Sequence, residues 1–360
     1  MPVRLGVLGC GSIARTAHLL SLARINDAKI LALADANASN LAAARPIAPD
    51  ARPVSDYVDV LDMPDVDAVI IALPPALHSV VALEALHRQK HVYVEKPLAT
   101  NVTDGERVVA AWQASGLTAM MGFNYRFNPI VRQARARIAA GAIGTPIGVR
   151  TVFATPRRAI PPWKQRRETG GGVLLDLAVH HIDLIRFLVD AEISHVGAEV
   201  RSIASEHDTA FLQSSLTNGA VAQSMCSLSV VEEDRIEVYG ASAKLTIDRY
   251  RSLRVEETPP NTGGALGIAV ARLAGEVRAL PYALEKLSAP LKDPSFPLAM
   301  GTFVRGVRDR APVTPSLSDG LRALAVIEAA ELSARSGRVI ALDEQPAAAT
   351  SDPRTDVAGA

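Results

Sequence analysis

Short apolar runs alternate with longer amphipathic stretches along the N-terminal third of the chain. The runs are almost continuously apolar, which is typical of strands buried on both faces of a parallel sheet. They are Arg4–Leu8, Lys29–Ala34, Ala68–Leu73, Val92–Val94 and Thr118–Gly122. Helices are predicted between them at Ser12–Ile25, Ala76–Gln89 and Thr103–Ser115. Repeated strand–helix units of this length predict a doubly wound, parallel α/β sheet over residues 1–122.

The pattern of apolar positions changes after residue 122. A helical stretch at Asn128–Ala140 precedes a strand at Ile147–Phe153, and a second helix is predicted from Gly170 to Val189. Runs separated by short polar turns then predict six strands: Gly197–Ile203, Ala210–Thr217, Ala220–Leu228, Arg235–Tyr239, Lys244–Ile247 and Leu253–Glu256. Asn218-Gly219 is typical of a hairpin turn. The succession predicts a second, α+β domain over residues 123–343, with a mainly antiparallel open sheet covered by helices on one face.

The C-terminal part of the chain is less uniform. Residues 258–297 mix Pro and Gly with an amphipathic stretch near Ile268–Leu287, and no element is assigned to them. Leu317–Ser336 predicts a closing helix that ends at Gly337. From residue 344 onward the chain consists largely of Ala, Pro, Thr, Ser and Asp, which predicts a disordered tail over 344–360.

Composition and charge narrow the classes of partner. The chain has 38 basic and 38 acidic residues, so it has no general attraction to nucleic acid or to an anionic membrane. No apolar run approaches the roughly 18 residues that a membrane span needs, and no export signal precedes the first strand. Cys10 and Cys226 lie in no C-x-x-C or His-rich context, so neither a disulfide nor a cysteine metal site is expected. We therefore expect a cytoplasmic protein that acts on a small molecule.

A glycine motif follows the first strand. In Gly9-Cys-Gly11-Ser12-Ile13-Ala14, the glycines would let the backbone approach a pyrophosphate at the start of a helix. Asp35 ends the next strand, where a carboxylate hydrogen-bonds the adenosine ribose and repels a 2′-phosphate. The motif therefore predicts NAD rather than NADP, although Asn37 and Asn40 do not exclude NADP. A plain glycine turn is the alternative.

Two further strands are predicted to end at the crevice that would hold the dinucleotide. Leu73-Pro74-Pro75 follows one strand, with His78 in the first turn of the next helix, either as a cofactor contact or as a surface residue. Glu95-Lys96-Pro97 follows another strand. A lysine there would donate a hydrogen bond to a substrate oxygen and stabilise alkoxide character, although an isolated lysine is usually a solvated charge. We expect Leu73, Pro74, His78, Glu95 and Lys96 at the cofactor.

Asp176 and His180 are four residues apart, which would place them on one face of a helix, and Asp183 would join that face. A neutral imidazole beside a carboxylate is a good general base near neutral pH. One alternative is an inert buried pair. Another is a metal site that also uses His181, but adjacent helical residues point about 100° apart and make poor joint ligands, so no metal is expected.

Five cations precede the three glycines: Arg157, Arg158, Lys164, Arg166 and Arg167. Trp163 stands among them. The segment is either a solvated loop or a lid that binds a phosphate or carboxylate through Arg and a sugar face through Trp163.

The ordered motifs strongly resemble those of the glucose–fructose oxidoreductase / inositol dehydrogenase / rhizopine-catabolism family, known as Gfo/Idh/MocA. The matching segments are Gly9–Ala14, Leu73–His78, Glu95-Lys96-Pro97, Gly122–Phe127, Gly170-Gly171-Gly172, Asp176–Asp183 and Asp319–Glu328. The resemblance spans residues 3–342. It departs mildly at Ala178, where the family often has Gly, and finds no match in residues 258–297.

The resemblance implies a Rossmann domain, a mixed-sheet second domain, and a homodimer or homotetramer built on the open sheet. It also implies an NAD(P)-dependent oxidoreductase that acts on a hydroxyl or keto carbon of a sugar, cyclitol or sugar derivative. In that family the matched Lys96 orients and polarises the substrate oxygen, His180 is the acid/base and Asp176 positions substrate. Asn124, Arg126 and Trp163 are further expected substrate contacts.

Two other functions are consistent with the same motifs. One is a glycosidase-like enzyme that oxidises a sugar transiently with bound NAD. The other is a catalytically inactive, dinucleotide-sensing regulatory protein. A sensor needs only the cofactor half of the fold, so the joint presence of Lys96, Asp176 and His180 favours an enzyme.

Overall fold

The first of two sheets holds six parallel strands in the computed structural model, which describes residues 1–259 and 279–342. The strands are β1 Val3–Leu8, β2 Ala28–Ala34, β3 Arg52–Val54, β4 Ala68–Ile71, β5 His91–Val94 and β6 Ala119–Met121. Their order is β3-β2-β1-β4-β5-β6, so the predicted doubly wound sheet is confirmed. The sequence pattern missed β3, because this edge strand is three residues long and largely exposed.

Helices lie close to the three predicted positions of this sheet, and two further short helices were not predicted. They are Leu19–Leu22, Ala38–Ala44, Tyr57–Leu61, Pro75–His87 and Val102–Ser115. The segment predicted as one helix from Ser12 to Ile25 contains a π-helical turn, Ala14–His18, before Leu19. π-helical turns are rare and often lie at functional sites.

The second sheet holds eight strands in the order β13-β12-β11-β7-β10-β9-β8-β14. They are β7 Pro146–Ala154, β8 Ile193–Arg201, β9 Thr209–Leu216, β10 Val221–Ser227, β11 Glu233–Gly240, β12 Lys244–Asp248, β13 Glu256–Thr258 and β14 Ile340–Ala341. Among these described strands all pairs are antiparallel except β7 with β10, as expected for a mainly antiparallel sheet. Gly219, with φ of +86°, makes the predicted hairpin turn between β9 and β10.

Helices cover one face of the second sheet. They are Pro129–Ala139, Val179–Val189 and Leu317–Ser336, and the last has the predicted bounds. Along β9 buried and exposed residues alternate, which is the pattern of a sheet with one uncovered face. Phe211 and Val221 are about half exposed on that face.

The helix Ser295–Asp309 returns to the first sheet. Met300, Phe303 and Val304 pack with β1 and β5 in one apolar core, and the Phe303 and Tyr93 rings lie 5.8 Å apart. A boundary at residue 122 therefore separates the strands of the two sheets but not their helices. The amphipathic stretch near Ile268–Leu287 is described only from residue 279, where a helix covers Leu280–Ser288. The predicted tail lies outside the described residues. No described helix is long and apolar enough to cross a membrane.

Candidate active site

The glycine loop after β1 leaves room for a ligand. Gly9 has φ of +92°, and a Cβ there would lie 2.4 Å from the Ala72 carbonyl oxygen, so only glycine allows this close approach to the end of β4. A Cβ on Gly11 would meet nothing within 4 Å, and Ser12 is exposed beside it. Backbone N–H groups opening a helix onto free space are suited to a pyrophosphate.

Asp35 holds this loop to the end of β2. Its Oδ2 accepts hydrogen bonds from the Cys10 backbone N–H at 2.8 Å and from Asn40 at 3.1 Å, and its Oδ1 accepts one from the Asn37 N–H at 2.8 Å. A carboxylate offers about four acceptor positions. The side chain, partly exposed, therefore keeps acceptor capacity for a ribose hydroxyl.

His78 joins two loops of the crevice. Its Nδ1 lies 2.6 Å from the Pro97 carbonyl oxygen and its Nε2 lies 2.8 Å from that of Leu73, and the side chain is buried. Burial lowers the pKa of His78, so the neutral ring donates to one carbonyl at a time. The surface alternative is wrong. With both ring nitrogens on backbone oxygens, His78 positions the loops that carry Pro74 and Lys96.

Glu95 has a partner that the sequence reasoning missed. His18, on the π-helical turn, lies with Nε2 2.9 Å from Glu95 Oε1, and both residues are buried. Burial alone would raise the pKa of Glu95, but His18 and then Lys96 hold it below its ordinary value. Glu95 Oε2 accepts from the Lys96 backbone N–H at 3.2 Å. Glu95 therefore anchors the backbone that carries Lys96.

Asp176 lies between two lysines. Lys96 Nζ donates to the Asp176 carbonyl oxygen at 2.6 Å and to Oδ1 at 3.1 Å. Lys164 Nζ, from the basic loop, donates to Oδ1 and Oδ2 at 2.9 Å each. The two ammonium charges hold the pKa of Asp176 far below its ordinary value despite burial. An ammonium has three N–H donors, so Lys96 keeps one for a substrate oxygen.

His180 forms no hydrogen bond with Asp176, although the Asp176 charge is among those that act on it. Leu174–Ala178 is a π-helical turn, which changes the angular relation that an α-helical i, i+4 spacing would give. The His180 ring stacks on Tyr125 with centroids 4.2 Å apart. Its Nδ1 is buried without a partner among the described residues.

Burial, and then the charges of Lys96 and Arg249, place the pKa of His180 well below its ordinary value. The imidazole is therefore neutral near neutral pH. The sequence reasoning also missed Arg249. Its guanidinium carbon Cζ lies 3.2 Å from the centroid of the Tyr125 ring, on which His180 stacks. Its guanidinium is bound to Asp234 at 2.8 Å and to Asp293 at 2.9 Å.

Two expected substrate contacts are bound to other side chains. Arg126 donates to Asp183 at 2.8 and 2.5 Å and to Asp319 at 3.1 Å, so its guanidinium is bound by two carboxylates. Asn124 donates to Ser295 Oγ at 2.8 Å and is buried. Asp183 thus pairs with Arg126 rather than joining the His180 face, because a buried charge needs a partner.

His181 points away from His180. Its ring stacks on Phe153 with centroids 5.0 Å apart, and its Nε2 lies 3.1 Å from Asp234 Oδ1. Within residues 1–259 and 279–342, no group of three or more His, Cys, Asp or Glu is arranged to hold a metal ion.

The five cations of the basic loop divide into two groups. Lys164 binds Asp176, and Arg167 binds Glu331 and, at 3.1 Å, the Thr100 carbonyl oxygen. The exposed cations that form no ion pair with any described residue are Arg157, Arg158 and Arg166. Trp163 is half-buried beside Lys164, whose Nζ lies 5.4 Å from the ring centroid.

Comparison with known proteins agrees with this geometry. Residues 3–123 match the family description "Oxidoreductase family, NAD-binding Rossmann fold", and residues 131–246 match "GFO/IDH/MocA C-terminal domain". The uncharacterized oxidoreductase YrbE of Bacillus subtilis is 30% identical over 260 residues, 70% of this chain and 75% of its own. Myo-inositol 2-dehydrogenase of Thermotoga maritima is 28% identical over 351 residues, 95% and 99% of the two chains.

A solved structure extends the likeness to the whole fold. The WlbA dehydrogenase of Bordetella pertussis, in complex with NADH and UDP-GlcNAcA, is 25% identical with a TM-score of 0.82, covering 96% of this chain and 99% of its own. The resemblance inferred from the motifs is confirmed. The chain belongs to the Gfo/Idh/MocA family of oxidoreductases with an NAD-binding Rossmann fold.

Proposed function

We propose that this enzyme transfers a hydride between NAD and a hydroxyl-bearing or keto carbon of a sugar, a cyclitol or a derivative of one. The observation that carries the proposal is the meeting of Lys96, Asp176 and a neutral His180 at the carboxyl edge of the first sheet, beside the glycine loop. The relatives support the substrate class, since one is a myo-inositol 2-dehydrogenase and another was solved with NADH and a nucleotide sugar.

In the oxidative direction, the residues divide the work as follows. When bound, NAD⁺ supplies the acceptor for the hydride. The free N–H of Lys96 donates to the substrate oxygen and stabilises negative charge as the C–H bond breaks. His180 takes the hydroxyl proton at Nε2, so that alcohol and NAD⁺ yield ketone, NADH and one proton. Asp176 fixes the ammonium group of Lys96.

The cofactor would be held by residues of the first sheet. Gly9, Gly11, Ser12 and Ile13 would hold the pyrophosphate, and Asp35 the adenosine ribose. Leu73 and Pro74, which follow β4, would line the same crevice. A carboxylate at Asp35 opposes a 2′-phosphate, so we propose NAD over NADP. Fluorescence titration should give several-fold tighter binding of NADH than of NADPH, and Asp35→Ser should narrow the difference while Asp50→Ser, at an exposed position, should not.

We also propose a homodimer or homotetramer that uses the uncovered face of the second sheet. The division into a domain over 1–122 and another over 123–343 is proposed for the strands alone, since Ser295–Asp309 packs on the first sheet. A cytoplasmic location stays a prediction that the two buried, free cysteines support.

The decisive experiment is a screen for NADH formation or consumption. Inositols, aldoses, keto-sugars, sugar phosphates and nucleotide sugars should be offered in both directions, with NAD(H) and with NADP(H). At least one should turn over. Tight NADH binding without turnover of any of them would contradict the dehydrogenase and favour a sensor.

A further inference from the structure

A cavity of about 540 Å³ opens at one end of the strands of the second sheet. β7 and β10 are parallel neighbours, so their carboxyl ends, and the connections that follow them, lie side by side. Thr155 and the basic loop follow β7, and Ser229 follows β10. The turn between β8 and β9, at Ala204 and Ser205, forms a third wall. Gln165, next to Lys164 in the chain, also lines the cavity and so connects it with the active site.

Two positive charges lie on the wall of the cavity. Arg157 and Arg158 both line the cavity, and neither forms an ion pair or side-chain hydrogen bond with a described residue. Lys164 and Arg167, in the same loop, are each bound to a carboxylate. Two guanidinium groups beside one cavity make its potential positive, which favours an anionic ligand there.

A buried hydroxyl on the wall also lacks a partner. Thr155 is 6% exposed, and its Oγ1 has no hydrogen-bond partner among the described residues. An unpaired buried hydroxyl costs free energy, which a bound acceptor would recover. Because Oγ1 is enclosed, the side chain would donate to a ligand in the cavity only after rotating toward it.

The remaining walls are held in place by Asp208. This buried carboxylate accepts hydrogen bonds from the backbone N–H groups of Ala204 and Ser205, at 2.6 and 2.9 Å, and from Ser229 Oγ at 3.0 Å. Donors therefore surround its negative charge inside the wall. The position of Ser205 and Ser229 is fixed before a ligand binds.

The cavity adjoins the loop that reaches the active site. Gln165, which lies between Lys164 and Arg166 in the chain, lines the cavity, and Lys164 binds Asp176 directly. A substrate with its reacting carbon at Lys96 and a substituent in the cavity would pass Lys164 and Trp163.

We propose that this cavity binds an anionic substituent of the substrate, a phosphate, diphosphate or carboxylate, through Arg157, Arg158 and the Thr155 hydroxyl. The proposal rests on the proposed function, because it names the class within it: an anionic sugar derivative rather than a free polyol. The shared chemistry is an oxyanion bound by guanidinium groups.

The test compares two variants of the full chain by calorimetric titration, with and without saturating NADH. One is Arg157→Gln/Arg158→Gln, and the matched control is Arg166→Gln, an exposed and unpaired arginine of the same loop that does not line the cavity. The probes are inorganic phosphate, uridine diphosphate and glucuronate. At least one should bind the wild type about tenfold more tightly than the double variant, with less than twofold change in the control, and the affinity should fall as salt is added.

The two proposals fail differently. If none of the three probes binds the wild type more tightly than the double variant, the anion site is wrong, and turnover of a neutral polyol would leave the dehydrogenase intact. If a probe shows the expected difference but no substrate turns over, the site stands and the dehydrogenase is wrong. The probe that is weakened most identifies the phosphate, diphosphate or carboxylate.

Discussion

Some residues of the proposed active site would carry out the reaction, and others hold these residues in position. Lys96 keeps one N–H free, and the low pKa of His180 keeps its imidazole neutral. Lys96→Ala and His180→Ala should each lower kcat by roughly 10²- to 10⁴-fold, the range for losing a positioned donor or base, with NADH affinity nearly unchanged. Lys29→Ala, an exposed lysine on β2, is the control. Steady-state kinetics decides, and near wild-type kcat in either active-site variant would remove that residue from the mechanism.

The pH dependence follows from the same residue. A base must be unprotonated to accept a proton, and burial places the pKa of His180 well below 6.5. The acid limb of the kcat/KM profile for alcohol oxidation should therefore lie below the ordinary histidine value, not at it. If the acid limb lies at the ordinary histidine pKa and disappears in His180→Ala, the His180 imidazole is solvated and the prediction is wrong.

The same depressed pKa has a consequence for stability, with a defined sign. The unfolded chain binds a proton at His180 more readily than the folded chain does, so the free energy of unfolding falls as the pH drops below the unfolded pKa. Above that pH this contribution is constant. As the pH falls, the free energy of unfolding should therefore begin to decrease at a higher pH than that at which protonation of His180 stops catalysis.

Sequence position indicated some contacts of the site and missed others. Lys96 and Asp176 are in contact, as their positions after a buried strand and after a glycine-rich turn suggested, and their roles in catalysis stay predictions. The partners of Arg126 were not predicted, because its two carboxylates are 57 and 193 residues away in the chain and no local pattern reveals them. Lys164 was counted among lid cations, since nothing in the sequence shows that it reaches Asp176.

At the scale of elements, the three glycines allow the basic loop to reach the active site. A Cβ on Gly171 would lie 2.2 Å from the Lys164 carbonyl oxygen. Gly171→Ala should therefore displace the loop, lower the free energy of unfolding by about 1–3 kcal/mol and reduce kcat. Gly148→Ala, whose nearest neighbour is 3.6 Å away, should do neither. Thermal unfolding and kinetics test this together, and an unchanged melting temperature for Gly171→Ala would contradict it.

Elements with strong periodicity were predictable and irregular ones were not. The helix Leu317–Ser336 has the predicted bounds because a capping box at Ser316 and a left-handed Gly337 mark both ends. The π-helical turn Leu174–Ala178 was invisible, since a spacing rule assumes a regular α-helix. Asp176 binds Lys96 and Lys164 and forms no hydrogen bond with His180, which a spacing rule could not indicate.

At the scale of the whole molecule, the uncovered sheet face should determine assembly. Phe211 and Val221 are 47% and 48% exposed there, and burying them would contribute to association. Light scattering should give a dimer or tetramer for the wild type and a smaller species for Phe211→Glu. Val231→Glu, in the connection after β10, should leave the mass unchanged. A wild type that stays monomeric as its concentration rises would contradict the proposal.

The helix Ser295–Asp309 has a consequence for how the chain folds during synthesis. Strands β1 to β6 leave the ribosome first, but the side chains that complete their core, among them Met300 and Phe303, are made much later. Until then an apolar surface of the first sheet stays in water. We therefore expect the N-terminal half, which carries the most regular part of the fold, to be prone to aggregation until Ser295–Asp309 has been made.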